Sequence, residues 1–315
     1  MIQRWDPVGD AADLYEVYRA VQAGDDPLGP VFTRRMFHGW VARGWADEPR
    51  ETWFIPGTGW YRLLLPDKEN RGRAGLQLFV TPAARRQGHG SALLEHALSR
   101  AAAHERSLVR GGAWEGTPGE AFALARGASH DQTAIRRVQD VRKAQGRPEV
   151  AEGYSLVTWT GRTPEEMLGG LARLYEAMAD APHSDGAEPS VWDAERVRAA
   201  DDVGQTFGTR EYTVAVRHDA TGDLAALSQV GIDPEDPEWG FQEITAVIRA
   251  HRGHRLGLAV KSAMLDLLLP AEPALRWIVT DNAESNKYMI AVNETLGYEI
   301  LGPPMKEYRI SVKES

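Results

Sequence analysis

Val80-Thr81-Pro82-Ala83-Ala84-Arg85-Arg86-Gln87-Gly88-His89-Gly90-Ser91-Ala92-Leu93-Leu94 runs from a β-prone end through a basic, glycine-bearing loop into an amphipathic helix. The same order returns at Val247-Ile248-Arg249-Ala250-His251-Arg252-Gly253-His254-Arg255-Leu256-Gly257-Leu258-Ala259-Val260-Lys261. The first N–H groups of a helix have no intrahelical partner, so a loop entering a helix presents them to whatever lies in front of it. Glycine lets the backbone approach closely, and arginine adds charge-assisted contacts to phosphate oxygens. Each stretch therefore predicts an anion cradle, and a chain with two is expected to bind, or once to have bound, a pyrophosphate-bearing cofactor in each half. In the second copy Arg255 stands where the first has Gly88.

The duplication extends outward. Val17 to Ala23 lines up with Leu174 to Asp180, each inside an early helical pattern. Asp10 is expected to cap the first of these helices, and Thr163-Pro164-Glu165-Glu166 reads as a capping box with proline at the first helical position. Tyr154 to Trp159 and Tyr308 to Val312 read as strands closing the two repeats, which sets a boundary near Gly161 and domains of 1–161 and 162–315. Strands are expected at 212–216, 224–230, 241–248 and 275–280, and in the first half at 52–55, 60–65, 76–80 and 108–110. Val260, Met264, Leu265 and Leu268 share a helix face, matched by Leu93, Ala97, Leu98 and Ala101. A helix is predicted from Ala283 to about Leu296 with Asn282 as its N-cap. The charged segments His130 to Glu149 and Asp180 to Asp202 read as loops or exposed helices.

A length of 315 residues suits two domains, and a net charge of −9 argues against a nucleic-acid partner. The absence of cysteine excludes disulfides, thiolate metal sites and a cysteine nucleophile. No metal is expected; His251 and His254 are read as facing solvent or phosphate. The N-terminal residues lack the apolar core of a signal peptide, and no apolar run approaches a membrane span, so a cytoplasmic location without membrane contact is expected. Asp180, Asp185, Glu188, Asp193, Glu195, Asp201 and Asp202 read as a solvated acidic face, with attraction of a cationic amine as the functional alternative.

The string Val-x-Pro-x-x-Arg-x-x-Gly-x-Gly-x-x-Leu-Leu lacks the Gly-Lys-Ser/Thr ending of the nucleotide P-loop and differs from the dinucleotide Gly-x-Gly-x-x-Gly pattern. It resembles the coenzyme A pyrophosphate motif of the GNAT superfamily of N-acetyltransferases. Thr280-Asp281-Asn282-Ala283-Glu284-Ser285-Asn286 and Val292-Asn293-Glu294-Thr295-Leu296-Gly297-Tyr298 resemble that family's later strand and helix, with Phe122 to Ala128 as a remnant in the first half. The resemblance covers nearly the whole chain as a tandem arrangement, similar to that of mycothiol synthase. It implies an α/β fold: two GNAT-like domains, each a twisted, splayed mixed sheet flanked by helices, with acyl-coenzyme A entering the splay. Carried over, Arg85, Gln87, Gly88, His89, Gly90 and Ser91, and Arg252, Gly253, His254, Arg255, Leu256, Gly257 and Leu258, would hold pyrophosphate. Backbone at Val80 and Val247 would meet the acyl group, and Asn282 and Asn286 would flank the pantetheine. The implied co-substrate is acetyl-coenzyme A and the implied partner a small-molecule primary amine, in a monomer or homodimer.

An amine of pKa about 10 is protonated at neutral pH, so transfer needs a base. Glu243, on the strand entering the second loop and expected to share a face with Phe241, Thr245 and Val247, is the candidate. A solvated strand glutamate is its structural alternative. In the family a tyrosine commonly precedes the Leu-Gly-aromatic glycine by four residues; here Asn293 and Ala123 fill those places. Tyr288 lies about 140° around the helix and reads as a packing residue. The general acid stays unassigned. The second half is expected to be catalytic and the first degenerate, with or without retained coenzyme A binding. A non-catalytic acyl-coenzyme A binding or sensing protein is the alternative.

Overall fold

The computed structural model describes residues 1–43, 48–144, 149–180 and 186–312. In chain order come β1 (Gln3–Arg4), α1 (Ala12–Asp25), α2 (Arg34–Ala42), β2 (Arg50–Ile55), β3 (Gly59–Leu64), β4 (Arg73–Val80), α3 (His89–Ala103), β5 (Leu108–Trp114), α4 (Pro118–Ala125) and β6 (Ser129–Asp140). There follow β7 (Tyr154–Thr160), α5 (Leu168–Glu176), α6 (Ala194–Phe207), β8 (Arg210–His218), β9 (Leu224–Ile232), β10 (Trp239–Val247), α7 (Leu256–Ala271), β11 (Trp277–Ala283), α8 (Lys287–Thr295), β12 (Glu299–Ile300) and β13 (Met305–Ser311). The sequence of elements through β6 thus recurs from β7 onward.

The chain divides into two compact units. Unit 1 is Met1–Ala134, Ser184–Glu188 and Gly302–Ser315; unit 2 is Ile135–His183 and Pro189–Leu301. Within unit 1 the strand order is β1-β2-β3-β4-β5-β13-β6, antiparallel except for the parallel β4–β5 pair. Within unit 2 the order is β7-β8-β9-β10-β11, then the end of β6, on which β12 also pairs. Here β10–β11 is the parallel pair.

This division departs from a cut at Gly161. β6 leaves unit 1 at Ile135, and β13, at the end of the chain, belongs to unit 1. Tyr154–Thr160 and Met305–Ser311 are strands, but neither closes the repeat before it: β7 pairs β8 and opens unit 2, while β13 fits between β5 and β6 of unit 1. Strand propensity and alternation mark a strand without naming its partner.

The segment from His130, expected as loop or exposed helix, forms most of β6. Its inward positions include Arg137, 6% exposed, and Gln139, 1% exposed, so the apolar alternation that marks a strand is missing. Gln139 Nε2 donates to Leu296 O at 2.6 Å, which makes its burial tolerable. The capping box does not form. Thr163 instead gives its N–H and hydroxyl to Asp201, and α5 starts only at Leu168, after a 3-10 turn over Glu165–Met167.

Each sheet carries helices on both faces because its strands send alternate side chains to opposite sides. In unit 1, Trp60 packs with Leu14, Tyr18 and Phe37 of α1 and α2, while Tyr61 and Leu63 pack with Leu93 and Ala97 of α3. In unit 2, Ala215 and Leu227 meet Leu171 and Val197 of α5 and α6, while Val214 and Val216 meet Val260 and Met264 of α7. Burying one such large side chain is worth roughly 1.5–3 kcal/mol. Among the described residues, no helix is long and apolar enough to cross a membrane.

Candidate functional site

The two loops share one backbone design. A 3-10 turn, Pro82–Ala84 or Arg249–His251, precedes two residues in the left-handed region, and a helix starts directly after the second. Those residues are Arg86 (φ 63°) and Gly88 (φ 87°) in unit 1, and Gly253 (φ 90°) and Arg255 (φ 55°) in unit 2. Glycine and arginine are exchanged between the two positions, so Arg255 is no loss of the pattern; its glycine has moved two residues upstream. Gly88 and Arg255 are the N-caps of α3 and α7, and neither helix start receives a side-chain cap. The N–H groups of His89, Gly90 and Ser91, and of Leu256, Gly257 and Leu258, thus stand at helix heads that suit an anion.

The loop arginines hold the cradle rather than line it. Arg85 forms a two-pronged pair with Asp25 at 2.9 and 3.1 Å and gives its Nε to Val80 O at 3.2 Å. Arg252 repeats this with Asp180 at 2.6 Å and Val247 O at 3.4 Å. Gln87 bonds back to Ala83 O, and Ser91 Oγ is taken by Arg126, whose guanidinium also lies over Phe122. In unit 2, His251 Nδ1 meets Tyr154 OH at 3.0 Å and His254 Nδ1 meets His251 O at 3.2 Å.

Beside each cradle the sheet opens. β4 pairs with β5 only through Gly75, yet runs on to Val80; β10 pairs with β11 only through Phe241, yet runs on to Val247. Ile248 N–H donates to Ala225 O on β9, so Val247, one residue back, turns its N–H to the opposite edge, facing the gap. Thr81 N–H donates to Thr58 O and sets Val80 the same way.

Glu243 sits on a β-bulge. Gln242 pairs with Val230 and Ile244 with Gln229, leaving Glu243 as the extra residue. The bulge breaks the alternation expected from sequence: Ile244 and Ala246 pack on the α5 side, whereas Val247 packs on the α7 side. Phe241 and Glu243 therefore do not share a face with Thr245 and Val247. The Glu243 carboxyl instead comes over Gly231 together with that of Glu211, whose residue pairs with Gly231 on β9. A Cβ at Gly231 would lie 2.9 Å from Glu243 Oε1 and 3.0 Å from Glu211 Oε1. Glu243 keeps solvent-exposed surface, while its carboxyl end lies against Gly231 and Glu211. Burial, the Glu211 charge and a hydrogen bond with Glu211 raise its pKa well above the carboxylate range. Burial raises Glu211 too, against hydrogen bonds from Thr209 and Glu243 that lower it. The pair can share one proton, as close carboxyls do. Nearby, buried Tyr175 donates to Gln229 Oε1 at 2.9 Å, and its phenol is held above its usual range by burial and then by the Glu243 charge.

Asn282 is not a helix cap. It lies in β11, and Asn286 caps α8 by accepting from Met289 N at 3.3 Å. Asn293, noted only for the tyrosine it replaces, is fully buried. Tyr288 is 90% exposed, so it is not the packing residue that the sequence suggested. The acidic stretch is largely engaged: Asp180 with Arg252, Glu188 with Asn70, Asp193 as the α6 cap, Asp201 with Arg198 and Asp202 with Arg162. Asp185 lies outside the described residues. No group of three or more histidines and carboxylates that could hold a metal ion occurs among the described residues.

Residues 15–111 match the model of the Acetyltransferase (GNAT) family. Over its full length the chain is similar to a solved tandem GNAT protein from the clavulanic acid biosynthesis pathway, at 28% identity, covering 100% of this chain and 99% of that one, with a TM-score of 0.85. A GCN5-related N-acetyltransferase from Sphaerobacter thermophilus shares the fold at 14% identity, covering 99% and 96% of the two chains, with a TM-score of 0.71. A GNAT-family acetyltransferase from Colwellia psychrerythraea shares it at 12% identity, covering 99% and 100%, with a TM-score of 0.56. No curated protein matches the chain in sequence.

Proposed function

From its standing as a tandem GNAT acetyltransferase, a family that draws its acyl group from acyl-coenzyme A, we propose that this chain moves acetyl from acetyl-coenzyme A to a primary amine on a small molecule, by direct attack in a ternary complex. The observation that carries the reading is the Glu211–Glu243 pair, two residues beyond the last β10–β11 contact and on the strand that feeds an uncapped helix. The diphosphate would lie against Gly253 to Leu258, and the thioester would supply the electrophilic carbonyl. A cationic amine approaches the two carboxylates and gives its proton to the ionised pair, which Glu243 then retains. The amine nitrogen bonds to the carbonyl carbon while the Val247 N–H faces the developing oxyanion. The carbon–sulfur bond breaks as the nitrogen gives its second proton to solvent. The thiolate takes a proton from solvent, and Glu243 releases its own to solvent to restore the ionised pair.

Unit 1 is the supporting half in this reading. Its β4 carries no carboxylate, and its Gln77 is committed to the buried guanidinium of Arg62. Its cradle keeps the shared backbone design, which suits retained coenzyme A binding.

Thiol release from acetyl-coenzyme A with a panel of primary amines tests the proposal, with initial-rate patterns expected to be sequential. Glu243→Gln should cost more activity than Gly88→Glu; the reverse order would move catalysis to unit 1. Tight cofactor binding with no turnover on a broad panel would instead identify an acyl-coenzyme A sensor.

A further inference from the structure

Lys261, on α7, is 3% exposed. Its Nζ donates to Asn293 Oδ1 at 2.8 Å and lies 4.4 Å from the centre of the Tyr298 ring. Among the described residues it has no carboxylate partner, and burial pulls its pKa down to about 7. A lysine placed so is costly to the fold, and the acetyl transfer derived above makes no use of it.

The hydrogen bonds leading away from it have a fixed sense. Asn293 Nδ2 donates to Asn282 Oδ1 at 2.7 Å. Protonated, Lys261 has donors only, so Asn293 turns its oxygen to Lys261 and its amide N–H groups to Asn282. Asn282 then offers its oxygen to Asn293, which leaves its own amide N–H groups for a different partner. Without the ammonium both amides could turn over together, since an asparagine is nearly symmetrical in shape. Asn282 stands three residues beyond Val279, where β11 last pairs with β10.

We propose that Lys261 is a positioning residue: through Asn293 it fixes the Asn282 amide as a hydrogen-bond donor beside the gap between β10 and β11, where it meets a carbonyl oxygen of the amide-bearing arm of acyl-coenzyme A. The proposal rests on unit 2 as the acyl-coenzyme A-binding half. It assigns the sense of the contact, donor from protein to ligand, and the group that enforces it.

Calorimetry with coenzyme A and with 3′-phosphoadenosine 5′-diphosphate, which keeps the diphosphate and lacks the arm, separates positioning from a structural role. Lys261→Met should weaken coenzyme A binding about tenfold, the worth of one hydrogen bond, and leave the diphosphate fragment unchanged. Its melting temperature should hold or rise, because a buried ammonium has been removed. Asn282→Ala should show the same ligand pattern, and the double variant should bind no more weakly than Asn282→Ala alone. Equal weakening of both ligands, or additive losses in the double variant, would overturn the proposal. Undiminished coenzyme A binding by the Lys261→Met chain would overturn it alone; no uptake by the wild-type chain would remove the reading on which it rests.

Discussion

Gly88 and Arg255 hold the same left-handed backbone at the head of a helix, the first at φ 87° and ψ −12°, the second at φ 55° and ψ 23°. Glycine adopts that region without penalty, whereas an L side chain loses about 1 kcal/mol there. Arg255→Gly is therefore expected to raise the unfolding free energy by about 0.5–1 kcal/mol in urea titration. Gly253→Ala, at φ 90°, should lower it by about 1–2 kcal/mol and loosen the cradle.

The carboxyl pair sets an acid limb on the rate. In the proposed reaction Glu243 takes a proton only when the pair is fully ionised, so kcat/KM should rise with pH through the raised pKa of the pair. Glu243→Gln should lower kcat by about 10²-fold. Glu211→Gln removes the charge that lifts Glu243, so the limb should move to lower pH while the plateau falls less. A limb that stays in place in the Glu211→Gln enzyme would show that the two carboxyls titrate apart.

Gly231 is the contact point that brings them together. A methyl group there would press on Oε1 of both side chains at 2.9 and 3.0 Å, and these are flexible ends that can give way. Gly231→Ala should thus leave the melting temperature within a few degrees of wild type. Its pH–rate profile should shift toward that of Glu211→Gln, with kcat lowered about tenfold through misplacement of the base.

The cradles were legible because glycine, arginine and helical periodicity act within fifteen residues of chain, where local geometry decides the outcome. Glu243 could be singled out as a candidate for the same reason, standing on the strand that feeds the loop. Glu211 could not: it reaches Glu243 only through the register of β8 on β9 and a bulge in β10, and neither leaves a mark in one sequence. Lys261 reads as one more polar residue on a helix until α8 is seen to cover it. The extent of unit 1 was hidden likewise, because the strand that completes its sheet lies at the far end of the chain. Arg255 misled in the other direction, since an arginine in the left-handed region is indistinguishable by composition from a lost glycine.

Unit 1 carries its own acid-sensitive lock. Glu51 is 6% exposed and accepts from Arg100 Nε at 2.8 Å and from Trp53 Nε1 at 3.0 Å, with His104 Nε2 at 2.9 Å. Burial alone would raise its pKa, but these hydrogen bonds and the Arg100 charge outweigh it and hold the carboxyl at about 2, against 4.5 for a free glutamate. The folded pKa is depressed, so the unfolded chain binds more protons between those values. The stabilisation is full above pH 4.5 and is lost as pH falls toward 2. Arg100 and His104 reach solvent, which screens the pair, and about 2 kcal/mol is expected at neutral pH. Glu51→Gln should remove that amount in urea titrations at pH 7 and flatten the dependence of stability on pH below 4.5. If the variant and the wild type lose stability in parallel as the acid is added, the lock lies elsewhere.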